Sequence, residues 1–208
     1  MMNENGTTEL IEHEITAIVL AGGESSRMGR DKALLNMGEN TLLSHVCLIA
    51  LEVATKVYVV TPWIEKYQSI LPPNCQLVKE ELVLNTRSNT PIIGFHQALQ
   101  LVQTEWVLLL ACDLPYLSSF QVKQWSKTLA TVLPTEIALL PRHPKGWETL
   151  CGFYRSNARS SLKFYLDNGG RSFQGWLKNL AVRELKMSDR TCLFNCNTPA
   201  DWKLISDR

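Results

Sequence analysis

Two uninterrupted apolar runs limit the fold more than anything else in this 208-residue chain. Ile15–Leu20 and Trp106–Ala111 contain no charged residue, and each ends in a loop rich in chemistry. A strand covered on one face alternates apolar with polar residues. A continuous run predicts burial on both faces, as in a parallel sheet sandwiched between helices. Val57–Val60, Gln76–Val78, Ile137–Leu140 and Thr149–Tyr154 are further strand candidates. Helical spacing recurs between them. Leu42–Leu51 follows Asn40 and Thr41, either of which can cap it. Pro91–Val102 has proline in the first turn, where a missing N–H costs little. Ser118-x-x-Gln121 makes a capping box for a helix to about Ala130. Asn157–Leu166 and Phe173–Leu180 read as helices, and Thr198-Pro199-Ala200-Asp201 as the start of another. Strands alternating with helices predict an α/β fold: three layers, α/β/α, around a mostly parallel sheet. No repeat or long Pro/Gly linker divides the chain, so residues 15–208 read as one domain behind a flexible tail, 1–14.

Several classes of function are excluded at this level. A formal charge of +1 leaves no basic excess for coating nucleic acid. The apolar runs fall well short of the roughly 20 residues that span a bilayer. The polar, acidic start lacks the features of a secretory leader, so a cytoplasmic protein is expected. Cys47, Cys75, Cys112, Cys151, Cys192 and Cys196 are scattered without C-x-x-C pairs, as buried thiols of a reducing compartment are. Cys192 and Cys196 could offer two thiolates, but zinc wants four ligands and no second pair is suitably spaced.

In open α/β sheets, ligands sit beyond the carboxyl ends of the strands, at the point where strand order reverses. That rule singles out the loops after Leu20 and Ala111. The first reads Leu20-Ala21-Gly22-Gly23-Glu24-Ser25-Ser26-Arg27-Met28-Gly29-Arg30-Asp31-Lys32. Its glycines allow tight turns and close backbone approach, and its cations add a positive field, a combination suited to phosphates. No Gly-Lys-Ser/Thr follows, so it is not a Walker A loop; the glycine spacing also excludes a nicotinamide-dinucleotide fingerprint. A glycine-rich strand exit with a solvated basic face is the plainer alternative. After the second strand comes Cys112-Asp113-Leu114-Pro115. A carboxylate there is a hard oxygen ligand poised for Mg²⁺ and phosphates, or else a turn cap.

The pattern Leu20-Ala-Gly-Gly-x-x-x-Arg27-Met28-Gly29-x-Asp31-Lys32-Ala-Leu-Leu resembles the signature loop of the molybdenum cofactor guanylyltransferases, the MobA family. Related sugar-phosphate and methylerythritol cytidylyltransferases usually carry Pro-Lys where this chain has Asp31-Lys32. The resemblance extends from residue 15 to about 205. It implies a Rossmann-like fold of the nucleotide-diphospho-sugar-transferase type and transfer of GMP from GTP to the terminal phosphate of molybdenum-bearing molybdopterin, with Mg²⁺ as cofactor. Leu20, Ala21 and Gly22 would meet base and ribose, and Gly23, Ser25 and Arg27 the phosphates. Lys32 would neutralise charge on the transferring phosphoryl group. Asp113, in the Cys-Asp-x-Pro motif, would bind the nucleotide and Mg²⁺.

Thr61 and Glu81 fall near positions that contact nucleotide in the family. Pro91-Ile92-Ile93-Gly94 resembles its Gly-Pro-Leu-x-Gly segment, with Thr90 replacing the leading glycine. Because a β-branched residue tolerates positive φ poorly, the local backbone either differs here or never needed that glycine. Asn195-Cys196-Asn197-Thr198-Pro199-Ala200-Asp201 resembles the motif associated with the pterin, so Asn195 and Asn197 would hold it, aided by Arg171. The resemblance also implies dealings with molybdenum insertion proteins and acceptor molybdoenzymes, and with neither nucleic acid nor membrane. Two alternatives stay open. One is a cytidylyltransferase acting on the same cofactor; the other is a non-catalytic nucleotide- or cofactor-binding protein.

Overall fold

The computed structural model of the chain describes residues 13–23, 28–82 and 90–206. In chain order its elements are β1 (Ile15–Leu20), β2 (Asn36–Met37), β3 (Asn40–Thr41), α1 (Leu42–Leu51), β4 (Lys56–Thr61), α2 (Ile64–Tyr67), β5 (Cys75–Lys79), α3 (Pro91–Leu99) and β6 (Trp106–Ala111). There follow α4 (Ser119–Lys127), β7 (Ala138–Leu140), β8 (Arg142–His143), β9 (Gly146–Trp147), β10 (Cys151–Arg155), α5 (Arg159–Asp167), α6 (Phe173–Leu177), β11 (Val182–Glu184) and α7 (Pro199–Ser206). Seven strands form one sheet in the order β11-β7-β10-β6-β1-β4-β5. β10 runs antiparallel to both its neighbours, and every other pairing in that sheet is parallel.

Both apolar runs are strands over the expected residues, paired side by side with Leu20 opposite Ala111. Their side chains alternate between two cores. Ala17 and Val19 of β1, with Leu108 and Leu110 of β6, pack on the layer that holds Val46 of α1 and Trp125 of α4. Ile18, Val107 and Leu109 face the other layer, which holds Ile92 and Phe95 of α3 and Leu162 of α5. In that second layer Phe95, Tyr154, Phe173 and Trp176 make a ring cluster, Phe95 and Tyr154 with centroids 5.0 Å apart. The three-layer α/β/α architecture is therefore present.

The chain moves from β1 outward to β4 and β5, then returns across β1 to β6. The reversal opens a crevice above the carboxyl ends of β1 and β6, where ligands of such sheets lie.

The caps decide several boundaries. Thr41 rather than Asn40 caps α1, accepting the Ser44 N–H at 3.2 Å. Ser118 and Gln121 close the capping box of α4. Thr90 has φ −85° and ψ 153°, an extended N-cap, so no glycine is needed before Pro91. Three helices are shorter than expected, and α4 gives way after Lys127 to a 3₁₀ turn, Thr128–Thr131. α3 ends at Leu99 although Val102 is still buried, and α6 ends at Leu177. The hairpins β2–β3 and β8–β9 and the edge strand β11 have too few residues to show a period. Of the tail, residues 1–12 lie outside the described residues; His13 packs edge-on to Trp106 at 6.3 Å between centroids. Among the described residues no helix is long and apolar enough to cross a membrane.

Candidate active site

The crevice is a cleft of about 500 Å³, walled by the exits of β1, β4, β5 and β6, the start of α3 and the segment before α7. Main-chain hydrogen bonds set these walls in register. Ala21 N–H donates to Val60 O at 2.9 Å, Cys112 N–H to Leu20 O at 3.1 Å, and Cys196 N–H to Asp113 O at 3.0 Å. The last of these carries Asn195 and Asn197 to the cleft. Asp201 fixes them from the other side, its carboxylate accepting N–H groups of Asn197 at 2.9 Å and Thr198 at 2.8 Å. The expected cap of the last helix is thus also what holds the two asparagines.

Lys32 and Asp113 meet at the centre. The Lys32 Nζ lies 2.5 Å from Asp113 Oδ2 and donates to Asn197 Oδ1 at 3.2 Å. Their side chains are 18% and 9% exposed, so both charges lie largely out of bulk water and depend on one another. Asp31 explains why the lysine points here. Its carboxylate caps the turn Lys32–Leu34 through the Ala33 N–H at 3.1 Å and accepts the buried Tyr67 hydroxyl at 2.9 Å. Burial, and then the nearby Asp31 carboxylate, push that phenol's pKa upward, so it stays a proton donor. The Asp-Lys pair is therefore an anchor followed by a cation at the centre of the cleft.

Cys112, next to Asp113, is fully desolvated, and burial pushes its thiol up to about 12. It stays protonated near neutrality and is no nucleophile. Cys192 and Cys196 are each pushed up to about 11 by burial, so neither is a ready thiolate ligand.

Of the residues singled out from sequence, Leu20, Gly22, Gly23, Lys32, Asp113, Asn195 and Asn197 line the cleft. Ser25 and Arg27 lie outside the described residues. Four of the expected residues are not among those lining the cleft. Ala21 is buried beneath the loop and contributes its main chain. Thr61 is fully buried, its hydroxyl accepting the Trp63 N–H at 3.1 Å, and it does not reach the cleft. Glu81 is exposed at the edge, bound through its main chain to Gln97 of α3. Arg171 does not line the cleft; its guanidinium donates to the carbonyls of Leu166 and Gly170 at the end of α5.

Besides Asp113, the cleft is lined by the carboxylate of Glu80, one residue before Glu81. That carboxylate lies against Gly22 and Gly94; a Cβ on Gly22 would come within 2.4 Å of Glu80 Oε2, and one on Gly94 within 3.3 Å of Oε1. Strand parity could have found it. Val60 and Val78 are paired neighbours facing the α3 layer, and Glu80 continues the row of Val78.

Among the described residues no three His, Cys, Asp or Glu side chains cluster as a closed metal site. The donors present fit a different arrangement. Asp113 is a hard carboxylate beside two asparagine amides, which suits a cation that keeps water and draws its other ligands from phosphates.

A sheet with a reversal crevice, glycines at its mouth, and a lysine–aspartate pair at its centre define a nucleotidyltransferase of Rossmann-like fold. Residues 17–182 match the MobA-like NTP transferase domain, and the chain belongs to that family. A relative from Trichormus variabilis, "Probable molybdenum cofactor guanylyltransferase", is 48% identical over 193 residues, covering 93% of this chain and 91% of its own. One of the same name from Synechococcus elongatus is 40% identical over 91% of this chain and 96% of its own. Among solved structures, the molybdopterin-guanine dinucleotide biosynthesis protein A of Archaeoglobus fulgidus superposes with a TM-score of 0.73, at 22% identity, over 92% of this chain and 97% of that one. At that identity the likeness speaks for the fold.

Proposed function

We propose that this enzyme transfers GMP from GTP to the terminal phosphate of molybdenum-bearing molybdopterin, releasing pyrophosphate, as a cytoplasmic, Mg²⁺-dependent catalyst. The observation that carries the reading is the Lys32 ammonium held between Asp113 and Asn197 inside a glycine-mouthed cleft. Phosphoryl transfer needs no covalent nucleophile from the protein; it needs the reactants in line and the developing charge neutralised. Lys32 supplies a mobile cation for the non-bridging oxygens of the α-phosphate. The glycine loop offers main-chain N–H groups to the phosphates, and Ser25 and Arg27, on the same loop, are proposed to take part there. Mg²⁺ bound at Asp113 would draw phosphate oxygens together and absorb negative charge. With Asp113 holding the ion, Lys32 would be left to pair with phosphate oxygen, and both charges would keep a counter-charge. Residues 15–208 act as the one catalytic unit, and the product is passed to the enzymes that use the cofactor.

Glu80 supports guanine as the base. Guanine presents adjacent N1–H and N2–H donors, which a carboxylate accepts with both oxygens. Cytosine offers one amino donor beside two acceptors and leaves a carboxylate poorly matched. Val60, Pro62, Pro91 and Gly94 give the flat apolar walls that a base needs. In titrations of nucleotide with Mg²⁺ followed by calorimetry, GTP is expected to bind at least about tenfold more tightly than CTP. Equal affinities, or a CTP preference, would turn the reading to the cytidylyl alternative.

Glu80→Gln is expected to weaken GTP about tenfold and leave CTP nearly unchanged, since one of two charge-assisted hydrogen bonds becomes mismatched. An unchanged GTP-to-CTP ratio in that variant would remove Glu80 from base selection.

A further inference from the structure

Lys32 stands between two carboxylates, and Asp113 takes its ammonium, with Nζ 2.5 Å from Oδ2. Asp31, the residue before it, is committed elsewhere. Its Oδ1 accepts the Ala33 N–H at 3.1 Å and its Oδ2 the Tyr67 hydroxyl at 2.9 Å. Tyr67 closes α2 and is 1% exposed, so its hydroxyl reaches Asp31 from inside the protein. Lys66 is a weaker partner for the same oxygen. Its side chain is half exposed, its Nζ is 3.8 Å away, and the ammonium also lies over the Trp63 ring at 4.5 Å. The charge of Asp31 nonetheless bears on the floor of the cleft. Burial first, and then Asp113, raise the thiol of Cys112 there; Lys32 lowers it and Asp31 raises it further. The other end of α2 starts at the cleft wall, where Pro62 and Trp63 line the cavity and Thr61 accepts the Trp63 N–H at 3.1 Å. One short turn therefore ties that wall to the anchor of Lys32.

A carboxylate whose oxygens already accept hydrogen bonds gains less from a nearby cation than one left unsatisfied. We propose that Tyr67 is a positioning residue for nucleotidyl transfer: by occupying Asp31 Oδ2, its hydroxyl keeps that carboxylate from drawing the Lys32 ammonium away from the cleft. Tyr67 touches no substrate in this role, which rests on the reading of Lys32 as the cation that meets the transferring phosphate. Without the hydroxyl, Oδ2 loses its buried donor, and the ammonium one residue along the chain is the strongest donor left to replace it. The competition is sharpest when Asp113 is engaged with the reactants, because Asp31 is then the carboxylate that rivals phosphate oxygen for Lys32. Packing alone does not call for the oxygen: the ring lies in the apolar layer with Val57 and Val59, and a phenylalanine would fill the same space.

The test is a cycle of four proteins: the natural chain, Tyr67→Phe, Asp31→Asn and the two together. Asparagine keeps an oxygen for the Ala33 N–H and removes the charge that competes for Lys32. In a pyrophosphate-release assay with GTP, Mg²⁺ and molybdopterin, Tyr67→Phe should lower kcat about tenfold, with the KM for GTP within about twofold. With Asp31→Asn already present, the same change should alter kcat by no more than about twofold. A second readout needs no substrate. The ¹⁵N resonance of the Lys32 ammonium, identified by its loss in Lys32→Ala, should move in Tyr67→Phe and stay in place when Asp31→Asn is already present. Circular dichroism checks that the four proteins share one fold. An unchanged kcat in Tyr67→Phe, an equal loss in both backgrounds, or a Lys32 resonance that does not move would each overturn the proposal. If the resonance behaves as expected while the natural chain releases no pyrophosphate from GTP, the positioning role stands and the guanylyl reading fails.

Discussion

Asp113→Ala is expected to lower turnover by at least about 10³-fold with the fold intact. The carboxylate is held at the centre of the cleft by β6, a strand buried along its whole length, and its main-chain carbonyl ties in the segment that carries both asparagines. Substitution removes the side chain but not that carbonyl, so the Cys196 N–H keeps its partner. Lys32 loses its nearest counter-charge and retains the Asn197 oxygen. The loss should therefore fall on catalysis rather than on assembly. Turnover measured against Mg²⁺ concentration, together with circular dichroism, separates the two. Raising Mg²⁺ should not restore the rate, because the missing element is the ligand and not the ion. Full activity in the variant would sink the metal assignment.

Lys32→Ala is expected to reduce kcat by about 10²–10³-fold while the KM for GTP changes by only a few fold. The reason is where the cation does its work. Lys32 is held by Asp113 and Asn197, so in the proposed role it would give up one set of contacts to gain another when nucleotide binds. Such an exchange contributes little to ground-state affinity and most where charge builds on the transferring group. Lys32→Arg should rescue poorly, since a planar fork cannot replace a compact ammonium in the same turn. A proportional rise in KM with unchanged kcat would assign Lys32 to binding alone. Steady-state kinetics at saturating Mg²⁺ decides it.

Much of this arrangement was legible in the sequence because its signals are local. Ile15–Leu20 and Trp106–Ala111 announce doubly buried strands, and Ser118-x-x-Gln121 and Thr198-Pro199-Ala200-Asp201 announce helix starts. The loops after the two strands supply the glycines, Lys32 and Asp113. Where the reading missed, strand parity was the arbiter. Thr61 shares its face with Val57 and Val59, which point into the α1 layer, whereas Val60 points to the cleft. The same rule places Ala21 below and Leu20 above, and favours Glu80 over Glu81. Arg171 poses another difficulty. It follows a short polar stretch, and only the packing around it shows that its guanidinium is taken up by the end of α5. Strand order is a third. Nothing local in Cys151–Arg155 says that it runs against both neighbours.

The main-chain bonds that join the loops after β1, β4 and β6 to the segment before α7 have a consequence for how such a site changes over time. Because Ala21, Cys112, Asp113 and Cys196 are joined through peptide groups, the spacing of the walls does not depend on which side chains they bear. A replacement at Glu80 would therefore change the lining of the cleft while the main-chain bonds beside Lys32 and Asp113 stay in place. A cleft framed in this way separates the part of the chain that sets its dimensions from the part that sets its chemistry.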